Sequence, residues 1–165
     1  MISLKEVKKK LYDKTIAEGS TVELKQNFPK DLASIANIVA GMANSDGGFI
    51  LLGIHENVNG VSVTGVDNIQ PKQILLNLKD YLSYQPYKIG VITVDGKSVP
   101  YIEVDKADYP VYFQNNPNSE RLYKYKRIGD HTRVVDKDKD RDGGKDIGKT
   151  KIMSRQNCIR RYINI

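Results

Sequence analysis

A carboxylate and an ammonium group stand two residues apart at Glu23 and Lys25, inside the alternating stretch 21–25. Side chains two positions apart in a strand lie on the same face, so these two groups are expected to be neighbours. Such a pair suits phosphodiester chemistry, because the carboxylate can hold a hard cation and the lysine can stabilise charge on a phosphate. The alternative is a cross-strand ion pair on the exposed face of an edge strand, and the two residues alone favour it.

Two further acids could join this pair. Glu18 precedes Glu23 across a turn, a spacing that lets both carboxylates reach one point. Glu56 follows the apolar strand predicted at 49–54, and the strand ends of α/β sheets commonly place functional groups at a cleft. The alternatives are a solvated helix end for Glu18 and a polar residue that opens the turn 57–60 for Glu56.

A basic, tyrosine-containing stretch lies at 121–127 with the sequence RLYKYKR. Basic side chains pair with phosphates and tyrosines stack on bases, so we expect this stretch to contact nucleic acid. The alternative is a solvated edge strand protected by its lysines, and alternation alone does not identify the contacting face. The residues predicted to contact nucleic acid are Lys25, Lys124, Tyr125, Lys126, Arg127 and Arg133.

The elements that must position these groups follow from hydrophobic periodicity and turn residues. Three helices are predicted, the first of them beginning with a capping box at Ser3 and Glu6. Strands and hairpins are predicted between and after the helices. The predicted helices span 3–17, 31–43 and 71–84; the predicted strands span 21–25, 49–54, 61–66, 88–94, 98–104, 111–114, 121–128 and 131–135.

The composition fits one domain over 1–135, followed by a charged, flexible tail over 136–165 that ends in a short docking segment. The net charge of the 165 residues is +6, but residues 1–135 hold 17 Lys/Arg against 15 Asp/Glu, so the tail carries most of the excess. No apolar run approaches the length of a membrane span, and the single cysteine excludes internal disulfides. A cytoplasmic, non-membrane protein is therefore expected.

Four stretches, taken in order, resemble the Schlafen AlbA-like domain. EGSTVELK at 18–25 is similar to the family opening E-S-x-x-[LV]-E-[FL]-K, although Gly19 replaces the usual Ser. AGMANSDGGFILLGI at 40–54 resembles A-x-A-N-x-x-G-G-x-[LI]-x-[IL]-G-[VI]. A hairpin with Gly65-Val66 follows, and YKRIG at 125–129 is similar to the late Y-x-R-x-G. No single motif is specific, but the ordered set is.

This resemblance implies an α/β (α+β) fold with one twisted, mixed sheet and about three helices. It also implies nucleic-acid binding, with a homodimer building the groove that two such domains form in vertebrate Schlafens. In nuclease-active members three carboxylates hold a divalent metal. They match Glu18, Glu23 and Glu56, the last commonly being Asp. The implied catalytic set is these three acids with Lys25, and the implied cofactor is Mg²⁺ or Mn²⁺.

The function predicted from these observations is that of a metal-dependent endoribonuclease acting on structured RNA such as tRNA, with a role in antiviral defence. One alternative is a DNA- or RNA-binding regulatory module without catalysis. Another is a protein-interaction domain that uses the segment 152–165 as its contact.

Overall fold

The computed structural model of the protein describes residues 1–66, 71–119 and 121–135. It contains three α-helices and nine strands within those residues. In chain order they are α1 (Leu4–Tyr12), β1 (Val22–Lys25), α2 (Leu32–Ala43), β2 (Gly48–Leu52), β3 (Ile54–Asn57), β4 (Gly60–Val63), α3 (Pro71–Leu78) with a 3-10 turn at Lys79–Tyr81, β5 (Tyr87–Val94), β6 (Lys97–Val104), β7 (Tyr112–Phe113), β8 (Tyr123–Ile128) and β9 (His131–Val134). The predicted tail 136–165 lies outside the described residues.

The main sheet has four strands in the order β1-β2-β6-β5. β1 pairs with β2 in parallel, and the two remaining pairings are antiparallel. A parallel neighbour requires a crossover connection, which α2 supplies between β1 and β2. The sheet is therefore mixed, and the predicted α+β class with three helices is confirmed.

The strand β2 lies at the centre of two hydrophobic cores. Ile50 and Leu52 belong to the core that α2 and α3 cover, whereas Phe49 and Leu51 belong to the core that α1 covers. All four side chains are buried. This explains why the sequence at 49–52 is continuously apolar rather than alternating, because a strand covered on both faces has no solvent side.

The first helix is shorter than predicted. Its start is confirmed, because Ser3 and Glu6 form the reciprocal capping box. Its end at Tyr12, rather than at residue 17, follows from Lys14, which adopts the left-handed conformation with φ of 56°. Ile16 remains buried against α1, and its apolar side chain extended the helical pattern beyond the true end. The third helix is shorter too, since a 3-10 turn replaces its last predicted residues.

The predicted central strand 49–54 is wrong at its C-terminal end. The chain breaks at Gly53, which has φ of 86° and lies so close to Gly65 that an added Cβ would stand 2.6 Å from the Gly65 carbonyl carbon. β3 then starts a separate two-stranded sheet with β4. Glu56 therefore lies inside β3, paired with Val61, and does not end the central strand.

A third sheet, β7-β8-β9, packs on α2. The β7–β8 and β8–β9 pairings are antiparallel, and so is the β5–β6 hairpin around Asp95-Gly96. The pairing of β8 with β9 was not predicted. None of the helices in the described part of the chain has the length and apolarity that a membrane crossing requires.

Candidate nucleic-acid interface

The side chains of Glu23 and Lys25 share one face of β1, as predicted. Lys25 Nζ lies 2.6 Å from Glu23 Oε1. Glu23 is only 6% exposed, whereas the lysine side chain is 36% exposed. The ion pair of the alternative interpretation is therefore present, but it lies within one strand rather than across two. Its carboxylate is buried rather than exposed, and the sequence pattern did not indicate this burial.

The second oxygen of Glu23 is bound by Arg127 from β8. Arg127 Nη2 lies 2.6 Å from Glu23 Oε2, and the arginine side chain is 1% exposed. The guanidinium also donates to Gly19 O at 3.0 Å and to Thr132 Oγ1 at 3.3 Å. Arg127 was predicted to contact phosphate directly, but its donors point into the protein and bind β1, the preceding turn and β9.

Glu18 makes a local contact beside this pair. Its Oε1 accepts a hydrogen bond from the Leu24 N–H at 3.1 Å, and Gly19 N–H donates to Val22 O at 2.9 Å to close the turn. The structure thus brings the Glu18 carboxylate to the backbone next to Glu23. The carboxylate satisfies an N–H of an edge strand, which would otherwise lack a partner.

Glu56 is placed differently. It is exposed on β3, in the separate hairpin, with His55 beside it on the same strand. Across residues 1–66, 71–119 and 121–135, no three His, Cys, Asp or Glu side chains are grouped so that they could hold a metal ion. Both oxygens of Glu23 are already bound by cations. This arrangement of donors does not fit a three-carboxylate metal site.

The outer face of the β8–β9 hairpin is basic. Lys126 and Arg133 are directly opposite each other in the antiparallel register, and both are exposed. Residues directly opposite each other share a face, and that face is opposite to the one that carries Arg127, because side chains alternate. Neither Lys126 nor Arg133 has an acidic partner among the described residues. Lys124 lies on the same face and is half-buried.

The tyrosines of β8 face inward instead. Tyr125 packs edge-on against Phe113, with ring centroids 5.5 Å apart, and Tyr123 packs against the same core. Burial raises the pKa of the Tyr125 hydroxyl, and the neighbouring Tyr123 adds to the rise. Tyr125 is half-buried and its ring packs against the core, so the structure does not present it as a free surface for the predicted base stacking.

Polar residues at the C-terminal end of α2 fasten β8, and the sequence interpretation missed their role. The Asn44 amide donates to Tyr125 O at 2.9 Å and to Val111 O at 2.8 Å, and its oxygen accepts from Val111 N–H. Ser45 Oγ accepts from Arg127 N–H at 3.0 Å. Nothing in the sequence indicated this role, because hydrogen bonds that span more than 60 residues leave no local signal.

The fold and this site define a mixed α+β domain with one cationic sheet face. The family model described as Schlafen, AlbA_2 matches residues 18–136. The chain belongs to this Schlafen AlbA_2 family, which confirms the resemblance.

Two solved structures share the fold. The DIP2311 protein from Corynebacterium diphtheriae is 22% identical with a TM-score of 0.54; the match covers 71% of this chain and only 22% of that protein's chain. The N-terminal domain of a protein from Nitrosomonas europaea, described as related to the ATP-dependent DNA helicase RecG, is 24% identical with a TM-score of 0.52; the match covers 78% of this chain and 90% of that domain. No curated protein sequence is significantly similar to this chain.

Proposed function

We propose that this protein binds nucleic acid, structured RNA such as tRNA, through the outer face of the β8–β9 hairpin. The observation that carries the proposal is the cross-strand pair Lys126 and Arg133, two exposed cations that face each other without an acidic partner in the described chain. Like charges directly opposite each other destabilise a hairpin, so a fold gains nothing from them by themselves. A polyanion supplies the missing countercharge.

The chemistry of the face agrees with a phosphate backbone as ligand. Arginine binds phosphate with two parallel N–H donors, and lysine binds it as a point charge. Ile128, on the same face and 61% exposed, adds an apolar contact for a sugar or base. A family whose name includes AlbA, and a fold relative described as related to a DNA helicase, support nucleic acid over another polyanion.

The direct test is fluorescence anisotropy with labelled tRNA and with duplex DNA of similar mass at low salt. The double variant Lys126→Ala/Arg133→Ala is expected to bind at least about tenfold more weakly than the wild type, because two phosphate contacts are lost. Lys88→Ala, which removes an exposed lysine that already has an acidic partner, is the matched control and should bind like the wild type. Equal affinity of all three proteins for both ligands would refute the proposal, and tighter binding of DNA would reassign the ligand.

Metal-dependent RNA cleavage is the finer hypothesis, and it stays a prediction that rests on the resemblance. Its test is end-labelled tRNA incubated with Mn²⁺ or with EDTA. Glu56→Ala is the informative variant, because Glu56 is exposed, whereas any change at Glu23 also disrupts a buried ion pair. Cutting that needs Mn²⁺ and disappears in Glu56→Ala would support the nuclease; intact tRNA that the protein still binds would favour the binding module.

The homodimer also stays a prediction. The mass of the protein in solution, measured by light scattering with and without tRNA, tests it. A dimer would place two cationic faces on one ligand, whereas a monomer that binds tRNA with full affinity would make the second face unnecessary.

A further inference from the structure

Arg127 joins three segments of the chain with one buried side chain. Its Nη2 binds Glu23 of β1 and Gly19 O of the preceding turn, and its Nη1 donates to Thr132 of β9. Glu23 and Arg127 are also the charged residues that the described part of the chain buries. Removing two charges from water costs free energy, and their attraction offsets that cost only when their geometry is good. We therefore expect the geometry of this buried pair to be closely defined.

The contact with β9 has a particular consequence for the basic face. Thr132 lies opposite Arg127 in the hairpin register, next to Arg133, while Arg127 itself follows Lys126. The guanidinium therefore links the two strands on the inner face, at the residue pair next to the two exposed cations. Its anchor on the other side is the Glu23 carboxylate of the main sheet.

The space around this contact is tight. An added Cβ at Gly41 of α2 would stand 2.7 Å from Thr132 Cγ2, so the helix approaches β9 at a position where only glycine fits without a shift. The contact between Arg127 and Thr132 links β8 to β9 at the residue pair next to Lys126 and Arg133. Loss of this contact is therefore expected to loosen the two strands at that point and to change the spacing of the outer cations.

We propose, on the basis of the proposed function, that Arg127 is a positioning residue for nucleic-acid binding and that Glu23 acts through it. Arg127 does not touch the ligand; it holds Lys126 and Arg133 at the separation that a phosphate backbone requires. Binding groups that are held even slightly out of place lose most of their effect.

The sign of one substitution distinguishes this role from simple electrostatics. Glu23→Gln removes a negative charge and releases Lys25, which is partly exposed. On charge alone both effects strengthen the binding of a polyanion. If Glu23 positions Arg127, the same variant weakens binding, because the neutral amide no longer anchors the guanidinium.

The experiment compares the wild type, Glu23→Gln, Arg127→Lys and Glu103→Gln for binding of labelled tRNA under one low-salt condition. We expect Glu23→Gln to bind about fivefold more weakly and Arg127→Lys, whose net charge is unchanged, to lose a similar factor. Glu103→Gln is the matched control: it removes an acid that pairs with Lys88 on the β5–β6 hairpin, and affinity should stay the same or rise slightly.

Amide hydrogen exchange distinguishes a local loosening of β8 and β9 from a loss of global stability, which would not be confined to one hairpin. Exchange should accelerate across β8 and β9 in Glu23→Gln and stay unchanged across β5 and β6. Affinity at or above that of the wild type in Glu23→Gln, or exchange that accelerates equally in both hairpins, would overturn the positioning role. If binding by the wild type does not depend on Lys126 and Arg133, the proposed function itself fails, and this inference fails with it.

Discussion

Two hairpins of this domain each place an exposed lysine directly across from a charged residue, and they differ in the sign of that residue. On β5–β6, Lys88 faces Glu103, with Nζ and Oε2 3.5 Å apart. On β8–β9, Lys126 faces Arg133. In the first hairpin the lysine is neutralised by an acid of the same hairpin. In the second hairpin the two cations are available to an anionic ligand. A surface cation is informative about function only when its cross-strand neighbour is known.

The two hairpins also differ in what lies beneath them. Ile92, Val94 and Val99 of β5–β6 belong to an apolar core, which needs no particular orientation of charge. Beneath β8–β9 lies the ion pair of Arg127 with Glu23. A packed apolar layer stabilises a hairpin in many arrangements, but a buried ion pair tolerates few, so it fixes the position of the strand above it.

The largest expected effect is on the hairpin with the buried ion pair. Arg127→Met leaves the Glu23 carboxylate buried with Lys25 as its remaining partner, and should lower the free energy of unfolding by about 3–5 kcal/mol. Urea denaturation measures this. The double variant Glu23→Leu/Arg127→Met should recover most of the loss, because no uncompensated buried charge remains and the released Lys25 is partly exposed. A single variant as stable as the wild type would show that the ion pair does not hold the β7-β8-β9 sheet.

A smaller effect concerns alkaline pH, where both hairpins contain a tyrosine with a raised pKa. Burial raises the pKa of Tyr87 in β5 to about 12, and the nearby Asp80 charge adds to the rise. The unfolded chain loses this proton near pH 10 and the folded chain keeps it, so the stabilising contribution is present below pH 10 and is lost as the pH rises towards 12.

The free energy of unfolding is expected to fall by roughly 2 kcal/mol over this pH range. Urea denaturation at several pH values between about 9 and 11.5 measures the decrease. Tyr87→Phe should flatten this part of the profile. Tyr125→Phe, at the β8 position, should act in the same direction, because burial also raises the pKa of that hydroxyl. A profile unchanged by either substitution would show that neither phenol is protected by the fold.

A smaller change in the free energy of unfolding is expected when the β8–β9 hairpin is given an opposite-charge pair like that of the β5–β6 hairpin. Lys126→Glu places an acid opposite Arg133 and should weaken tRNA binding by about tenfold. The same change should stabilise the hairpin by about 0.5 kcal/mol, because opposite charges now face each other. Thermal unfolding and anisotropy measure the two effects.

The reverse exchange, Glu103→Lys, places two lysines opposite each other on β5–β6. If that variant gains as much affinity as Lys126→Glu loses, a cationic pair anywhere on the surface would suffice, and the distinction between the hairpins would disappear.

The sequence predicted local features well and long-range contacts poorly. The capping box at Ser3 and the strands predicted at 88–94 and 98–104 depend on neighbouring residues, and these predictions are confirmed. The end of the central strand was predicted wrongly, because Gly53 breaks it through its close approach to Gly65, far along the chain. Periodicity carries no information about such a contact.

The candidate site shows the same division. Alternation predicted correctly that Glu23 and Lys25 share a face. Alternation places Tyr123, Tyr125 and Arg127 on one face of β8, but it does not show that this face packs inward, because that depends on how α2 packs across it. The exposed pair Lys126 and Arg133 appeared only when the register of β8 with β9 was known.

The measurement that tests the central claim most directly is the salt dependence of tRNA affinity. Plotted against the logarithm of salt concentration, the logarithm of the binding constant falls with a slope set by the number of phosphates that the protein neutralises. We predict that Lys126→Ala/Arg133→Ala reduces the magnitude of that slope by about 2 and that Lys88→Ala leaves it unchanged. A slope that is the same in all three proteins would contradict the assignment of the β8–β9 face as the nucleic-acid interface.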